Sequence, residues 1–122
     1  MTIPVIVLAF WSLPSPPIQQ PPAEVPLLRA EIGPCSADFT VKDADGAGVY
    51  AAAIKVRVRY GVKGIKRADL EVGTNSDGKA RIEGLPSKAR PLVYAIEKAG
   101  KVASLRQDVE HQCHAALEVT LK

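Results

Sequence analysis

The segment from Ile54 to Tyr60 alternates apolar and basic residues, and this alternation constrains the fold more than any other feature of the chain. The apolar positions carry β-branched or aromatic residues: Ile54, Val56, Val58 and Tyr60. The positions between them carry cations: Lys55, Arg57 and Arg59. Because successive side chains of a strand point to opposite faces, this period of two predicts a β-strand with one buried face and one basic, solvated face.

Six further segments show the same alternation more weakly. The inward positions of five are Phe39 and Val41; Leu70 and Val72; Ala80 and Ile82; Leu92, Tyr94 and Ile96; and Leu117, Val119 and Leu121, and the sixth is residues 102–109. Turn residues separate them: Asp45-Gly46, Gly61 with Gly64, Asp77-Gly78 and Ala99-Gly100. Short strands separated by regular turn signals, with no helical period, predict an all-β antiparallel sandwich of about seven strands.

The N-terminal part of the chain differs in composition from the rest. Residues 3–13 form an apolar run that has the length of a signal-peptide core and is too short to cross a bilayer as a helix. Seven of the ten prolines lie between Pro14 and Pro34. We therefore expect a signal peptide or apolar segment over residues 1–15, a proline-rich linker over 16–34 and one domain over 35–122. Two observations weaken export: no cation precedes Arg29, and no clear cleavage site follows the run. An odd first strand or a docked tail is the alternative.

Cys35 and Cys113 precede the first and the last predicted strand of the domain. In an exported protein, an even number of cysteines favours a disulfide. Two free, buried thiols in a cytosolic domain are the alternative. From Cys35 onward, 15 lysines and arginines outnumber 11 aspartates and glutamates. This mild excess permits an anionic partner, such as an envelope polymer or nucleic acid, without requiring one.

Two stretches resemble a known family. Residues Val41 to Val56 (VKDADGAGVYAAAIKV) resemble the opening hairpin of carboxypeptidase regulatory-like domains. Residues Thr74 to Pro86 (TNSDGKARIEGLP) are similar to that family's most typical segment, which contains an Asp-Gly hairpin turn, a short strand and a Gly-Leu-Pro exit. The same pattern occurs in transthyretin-like domains, adhesin B-type repeats and bacterial immunoglobulin-like repeats. The resemblance covers about residues 37–122 and implies a Greek-key sandwich of the transthyretin-like or immunoglobulin-like kind.

The catalytic patterns of related folds are missing from the sequence. The chain ends in LEVTLK and lacks the Tyr-Arg-Gly-Ser tail of transthyretin-like hydroxyisourate hydrolases. Intradiol dioxygenases share a related sandwich and bind iron through two tyrosines and two histidines, but no motif places such residues together here. Lys42 stands where adhesin repeats carry an amide-forming lysine, yet the only asparagine, Asn75, lies in a turn. His111, Cys113 and His114 are too close in sequence to converge on one metal ion from a straight strand. We therefore expect no enzyme activity, no metal and no cofactor.

These observations favour a non-catalytic accessory or protein-interaction domain that is secreted, periplasmic or attached to the cell envelope. The expected interaction surface consists of Lys55, Arg57, Arg59, Lys63, Lys66 and Arg67, with the loop from Ser87 to Arg90 as a second contact. A solvated face that discourages edge pairing is the simpler explanation of the same cations. The alternatives are a basic sandwich that binds polyanions and a transthyretin-like hydrolase with a departed active site. We expect a protein or an envelope polymer, not nucleic acid, as the partner, no transmembrane helix in the mature domain, and a monomer.

Overall fold

The computed structural model describes residues 24–122 and places eight strands in two sheets. The strands are β1 (Leu27–Arg29), β2 (Cys35–Asp43), β3 (Ala53–Tyr60), β4 (Lys66–Gly73), β5 (Lys79–Leu85), β6 (Leu92–Lys98), β7 (Lys101–Gln107) and β8 (His114–Leu121). The first sheet has the order β1-β5-β2-β8, and the second has the order β4-β3-β6-β7. The predicted all-β sandwich is confirmed, and the predicted signal peptide, residues 1–15, lies outside the described residues.

The core lies between the two sheets and contains most of the residues that the alternation predicted to face inward, whereas Tyr60, Leu70, Leu117 and Val119 are only partly buried. Phe39, Ile54, Ile82, Tyr94 and Ile96 are all at most 1% exposed. The rings of Phe39 and Tyr94 meet edge to face with their centroids 4.7 Å apart, which joins the middle of one sheet to the middle of the other. Burial of these side chains supplies the main favourable free energy of the fold.

Part of the predicted linker belongs to the first sheet. Residues Leu27–Arg29 form β1, which runs parallel to β5, and Arg81 N donates to the carbonyl of Pro26 at 2.9 Å. An edge strand needs hydrogen bonds on one side only, and the three residues of β1 are themselves free of proline. The proline-rich composition therefore allows a short edge strand, and the folded part begins before the predicted boundary at residue 35.

The pairing is not entirely antiparallel. Strands β2 and β8 run parallel over eight residue pairs, from Ser36 with His114 to Asp43 with Leu121, and β1 and β5 form a second parallel pair. The other four strand pairs are antiparallel. The parallel pair brings the beginnings of β2 and β8 together, which matters for the position of the two cysteines.

The two Asp-Gly turns do not join paired strands, as the predicted hairpins required. After Asp45-Gly46 the chain pairs briefly with β2 through a bridge between Lys42 and Gly48, and then crosses to β3 in the other sheet. Asp77-Gly78 likewise lies between β4 and β5, which belong to different sheets. The Asp45-Gly46 turn therefore returns the chain to β2 before it crosses to the other sheet, and the Asp77-Gly78 turn lies in the crossing from β4 to β5.

The crossing from β4 to β5 is fixed by side chains of the segment from Thr74 to Pro86, which resembles carboxypeptidase regulatory-like domains. The Thr74 hydroxyl donates to the Val49 carbonyl and accepts from Ala52 N at 2.9 Å. Asn75 Oδ1 accepts from Asp77 N at 2.9 Å and Lys79 N at 3.0 Å. Gly78 has φ +75°, and a Cβ at this position would lie 2.1 Å from the Val41 carbonyl oxygen. The Thr-Asn-Ser-Asp-Gly sequence thus closes the end of the sandwich that holds the β4–β5 turn.

Candidate functional site

The six cations predicted to form an interaction surface lie on β3, on β4 and on the loop between them. The structure divides them into two groups. In the first group, Arg57 Nε lies 2.9 Å from Asp69 Oδ1, and Lys55 Nζ lies 3.9 Å from Glu97 Oε2. These carboxylates belong to the neighbouring strands β4 and β6, so the middle of the basic face is largely neutralised.

In the second group, most cations have no carboxylate nearby. Arg59, Lys63 and Lys66 take part in no ion pair among residues 24–122, whereas Arg67 Nε lies 3.9 Å from the carboxylate of Asp69, which also binds Arg57. All four side chains are exposed. The free positive charge of this face is therefore concentrated at the end of β3.

A tight turn presents these residues. Tyr60 pairs with Lys66, so residues 61–65 form a five-residue loop, which we call the hairpin tip. Gly61, Lys63 and Gly64 have positive φ of 82°, 58° and 65°, and Gly64 N donates to Gly61 O at 3.2 Å. Glycine adopts such backbone angles readily, which explains Gly61 and Gly64 in this loop.

The loop between β5 and β6 brings two more cations to the same place. A pocket of about 390 Å³ lies between this loop and the hairpin tip, and its four charged lining residues are all cations: Arg59, Lys63, Lys88 and Arg90. A second depression of about 240 Å³ adjoins it and shares Arg59 and Arg90. We call Arg59, Lys63, Lys66, Lys88 and Arg90 the basic end.

The sequence suggested the two loops as separate contacts but did not place them together. Lys63 and Lys88 are 25 positions apart in sequence, and both line one pocket because the chain crosses from β5 in the first sheet to β6 in the second. Among the residues that line this pocket, Lys88 and Arg90 were missing from the expected surface of six. The sequence feature that indicates them is the short basic stretch Lys88-Ala89-Arg90, which follows the predicted strand that ends at Pro86.

The arrangement has an electrostatic cost. Arg59 lies directly opposite Arg67 in the antiparallel register. Like charges in such cross-strand positions destabilise a sheet by a few tenths of a kcal/mol up to about 1 kcal/mol. An anion in the pocket would offset the positive charge of Arg59, which lines it. The guanidinium groups of Arg59 and Arg90 present planar forks that match the oxygens of a phosphate, sulfate or carboxylate.

Other cations differ in their surroundings: Arg81 is paired with acids, whereas the exposed Arg29, Lys79, Arg106 and Lys122 take part in no ion pair among residues 24–122. On the first sheet, Arg81 Nη1 lies 2.6 Å from Asp38 Oδ2, and Arg81 Nε lies 2.8 Å from Glu83 Oε1. The hydrogen bonds that Arg81 donates to Asp38 and then to Glu83 raise the pKa of its guanidinium. A further depression of about 360 Å³ combines Lys98 and Lys101 with the carboxylate of Asp43 and the exposed ring of Tyr50. Its mixed charge fits an anion less well than the basic end does.

The predicted disulfide between Cys35 and Cys113 is present, and the Cα atoms of the two residues lie 4.6 Å apart. It joins the parallel strands β2 and β8 where both begin. A buried polar network lies beside it: the Tyr94 hydroxyl donates to Gln107 Oε1 at 2.6 Å, and Gln107 Nε2 donates to the carbonyls of Ser36 and Gln112 at 3.1 and 2.9 Å. Burial raises the pKa of Tyr94 well above its ordinary value.

The two histidines bind different partners. His111 Nδ1 lies 2.9 Å from Asp108 Oδ2, and His114 Nδ1 lies 2.8 Å from the Ser36 hydroxyl. Tyr94 is buried in the core and donates a hydrogen bond to Gln107, whereas Tyr50 is exposed. Residues 24–122 contain no group of three or more His, Cys, Asp or Glu side chains able to hold a metal ion.

Comparison with known proteins supports the fold and leaves the family open. No family model and no curated relative matches the chain. Among solved structures, catechol 1,2-dioxygenase from Pseudomonas arvilla C-1 is similar with a TM-score of 0.52 and 10% sequence identity, over 80% of this chain and 58% of that one. The corresponding enzyme from Acinetobacter sp. ADP1 gives a TM-score of 0.48 at 10% identity, over 82% and 59% of the two chains. The 3-chlorocatechol 1,2-dioxygenase from Rhodococcus opacus 1CP gives 0.46 at 16% identity, over 86% and 68%.

This chain spans less than two thirds of the first of these dioxygenases. At such low identity, the likeness concerns the sandwich alone. None of the segments described by the structure forms a helix with the length and apolarity needed to cross a bilayer.

Proposed function

We propose that this chain is an exported, non-catalytic binding domain of the cell envelope, and that its basic end holds an anionic partner. The observation that carries the proposal is the pocket between the hairpin tip and the β5–β6 loop, whose charged lining residues are all cations. Because Arg59, Lys63, Lys88 and Arg90 form no ion pairs within residues 24–122, their charges are available to a ligand.

The lining of the pocket suits binding better than catalysis. Its uncharged members are Tyr60, Gly61, Gly64 and Ala89, so the positive groups are accompanied by a phenol and by backbone. Arginine and lysine at neutral pH hold anions by charge-assisted hydrogen bonds, while general acid-base chemistry calls for a group that titrates near the working pH. The partner class that fits is a molecule with repeated phosphate, sulfate or carboxylate groups, such as an envelope polymer or an acidic protein segment.

The disulfide supports the proposed compartment. Disulfides persist in oxidising environments and are rare in the cytosol of most organisms. The bond between Cys35 and Cys113 therefore supports a secreted or periplasmic location, in agreement with the apolar run at residues 3–13. Alkylation of unreduced protein taken from cells tests this point. We expect both thiols to resist alkylation, and two modified cysteines would contradict export.

Binding to long-chain polyphosphate tests the function. Because phosphate contacts release counterions, we expect the affinity to fall steeply between about 50 and 200 mM salt. The double variant Arg59→Gln/Arg90→Gln removes the two forks shared by both depressions. We expect this variant to bind roughly tenfold or more weakly than the wild type. The slope of log affinity against log salt concentration should become shallower by about 2, one for each cation removed.

The matched control is Lys98→Gln/Lys101→Gln, which removes the same charge from the depression that also contains Asp43. A specific site at the basic end predicts that this control keeps most of the wild-type affinity. Equal losses of affinity in the two double variants would show that binding depends on net charge alone and would contradict the proposed site.

A further inference from the structure

The hairpin tip carries two large apolar side chains in water. Val62 is 79% exposed and Ile65 is 78% exposed, and none of the residues Val62–Gly64 is buried. The tip lies beyond the last residue pair of β3 and β4, so neither sheet can cover these side chains. Single exposed apolar residues are ordinary on protein surfaces. Two of them within four residues at the end of a hairpin form a small apolar point.

Cations accompany these side chains in the tip and in the pocket beside it. Lys63 lies between Val62 and Ile65 in the tip, and Lys66 follows directly. Arg59, Lys88 and Arg90 line the adjoining pocket. The first acidic residue after Tyr60 is Asp69, which is bound to Arg57. The tip is therefore amphipathic, with an apolar point and a basic rim.

This combination matches the interface of an anionic bilayer. Apolar side chains gain free energy by entering the boundary between headgroups and acyl chains, and cations gain by approaching anionic headgroups. The long stems of lysine and arginine can lie along apolar material while their charges stay at the phosphate level. A soluble polyanion would satisfy the basic rim but would leave Val62 and Ile65 in water.

We propose that the hairpin tip docks on an anionic lipid surface, with Val62 and Ile65 in the interface and the cations of the basic end on headgroup phosphates. This inference rests on the proposed function, since it names the anionic partner that the same cations bind. Only side chains enter the interface, because backbone groups of the tip such as Lys63 N–H and C=O need water or protein partners. The domain would then lie on the membrane with the β3–β4 hairpin pointing toward it.

The experiment uses the full chain with three probes: vesicles of phosphatidylcholine with about one third phosphatidylglycerol, vesicles of phosphatidylcholine alone, and long-chain polyphosphate in solution. The apolar run at residues 3–13 is uncharged and is present in every variant. The quantity compared is therefore the affinity difference between the two vesicle types, measured by co-sedimentation at one salt concentration.

The test variant is Val62→Ser/Ile65→Ser, which alters exposed side chains only. We expect it to bind anionic vesicles about tenfold or more weakly than the wild type, because two apolar side chains no longer enter the interface. Its affinity for polyphosphate should stay within about twofold, because the cations remain. The matched control Val93→Ser/Val102→Ser changes two exposed valines, 58% and 69% exposed, on β6 and β7, and should leave both affinities unchanged.

The outcomes separate the two proposals. If polyphosphate binds but anionic vesicles bind no better than neutral ones, or if Val62→Ser/Ile65→Ser binds anionic vesicles as the wild type does, the membrane inference is wrong and the proposed function stands. If neither polyphosphate nor anionic vesicles bind above the neutral vesicles, the proposed function fails together with the inference. Loss of vesicle binding in the control as well as in the test variant would also overturn the role of the hairpin tip.

Discussion

Removal of the disulfide should destabilise the domain strongly. Cys35 and Cys113 close a loop of 78 residues, and a crosslink of this span contributes about 4.5 kcal/mol in the chain-entropy treatment of the unfolded state. Domains of this size unfold with about 5–15 kcal/mol in total. Breaking the bond should therefore remove a large fraction of the stability.

Contacts near the disulfide decide whether the native state changes when the bond is broken. Gln107 still joins the Ser36 carbonyl on β2 to the Gln112 carbonyl just before β8 when the sulfurs are separated. The native state is therefore expected to keep its sheets, and the loss arises mainly in the unfolded chain. Reduction of the wild type avoids the cavity that an alanine would leave at the fully buried Cys35.

Urea titration followed by circular dichroism, with and without reductant, measures the effect. With a urea dependence of about 1.5 kcal/mol per M, a loss of 4.5 kcal/mol moves the midpoint down by roughly 3 M. The double variant Cys35→Ala/Cys113→Ala should fall at least as far and should not respond to reductant. A shift below about 0.5 M on reduction would refute the reasoning that the bond restricts the unfolded chain.

Three further predictions concern single residues of the sandwich. The variant Gly78→Ala should lose more than about 1 kcal/mol of unfolding free energy in thermal or urea unfolding, because φ is +75° and the new Cβ meets the Val41 carbonyl. The control Gly73→Ala should lose no stability, because a Cβ there meets nothing within 4 Å. Equal losses in the two variants would contradict the explanation. Tyr94→Phe should cost about 1–3 kcal/mol, because Gln107 Oε1 loses its donor in the core, and an unchanged midpoint would show that this bond contributes nothing. Burial raises the pKa of Tyr94, so the contribution of its protonated form to stability is complete below the unfolded pKa of about 10 and is lost as pH rises toward the folded pKa. The unfolding free energy of the wild type should therefore fall above about pH 10 more steeply than that of Tyr94→Phe. Parallel curves for the two proteins would contradict this prediction.

The strands of the sandwich could be predicted where the apolar period was clear. Ile54, Val56 and Val58 are buried as their alternation required, and Tyr60 at the end of the strand is half-buried. Strand β1 could not be predicted, because a three-residue edge strand in a proline-rich stretch depends on its partner β5 and has no period of its own. The parallel pairing of β2 with β8 depends likewise on contacts between residues some 78 positions apart.

The candidate site was predicted only in part. The basic face of β3 was visible in the sequence, but the cross-strand register decides which cations are neutralised: Arg57 lies opposite Asp69, whereas Arg59 lies opposite Arg67. A single sequence does not contain that register. The approach of Lys88 to Lys63 depends on a crossing between sheets, and the predicted hairpins gave no reason to expect it.

The central claim is that anions bind at one end of the sandwich, and the position of binding can be measured directly. An NMR titration of the ¹⁵N-labelled chain with tripolyphosphate reports the change at each backbone amide. We predict that the largest shifts fall on residues 59–66 and 87–91, which hold the cations of the basic end. Shifts centred on Lys98 and Lys101, or spread evenly over all exposed lysines and arginines, would contradict it.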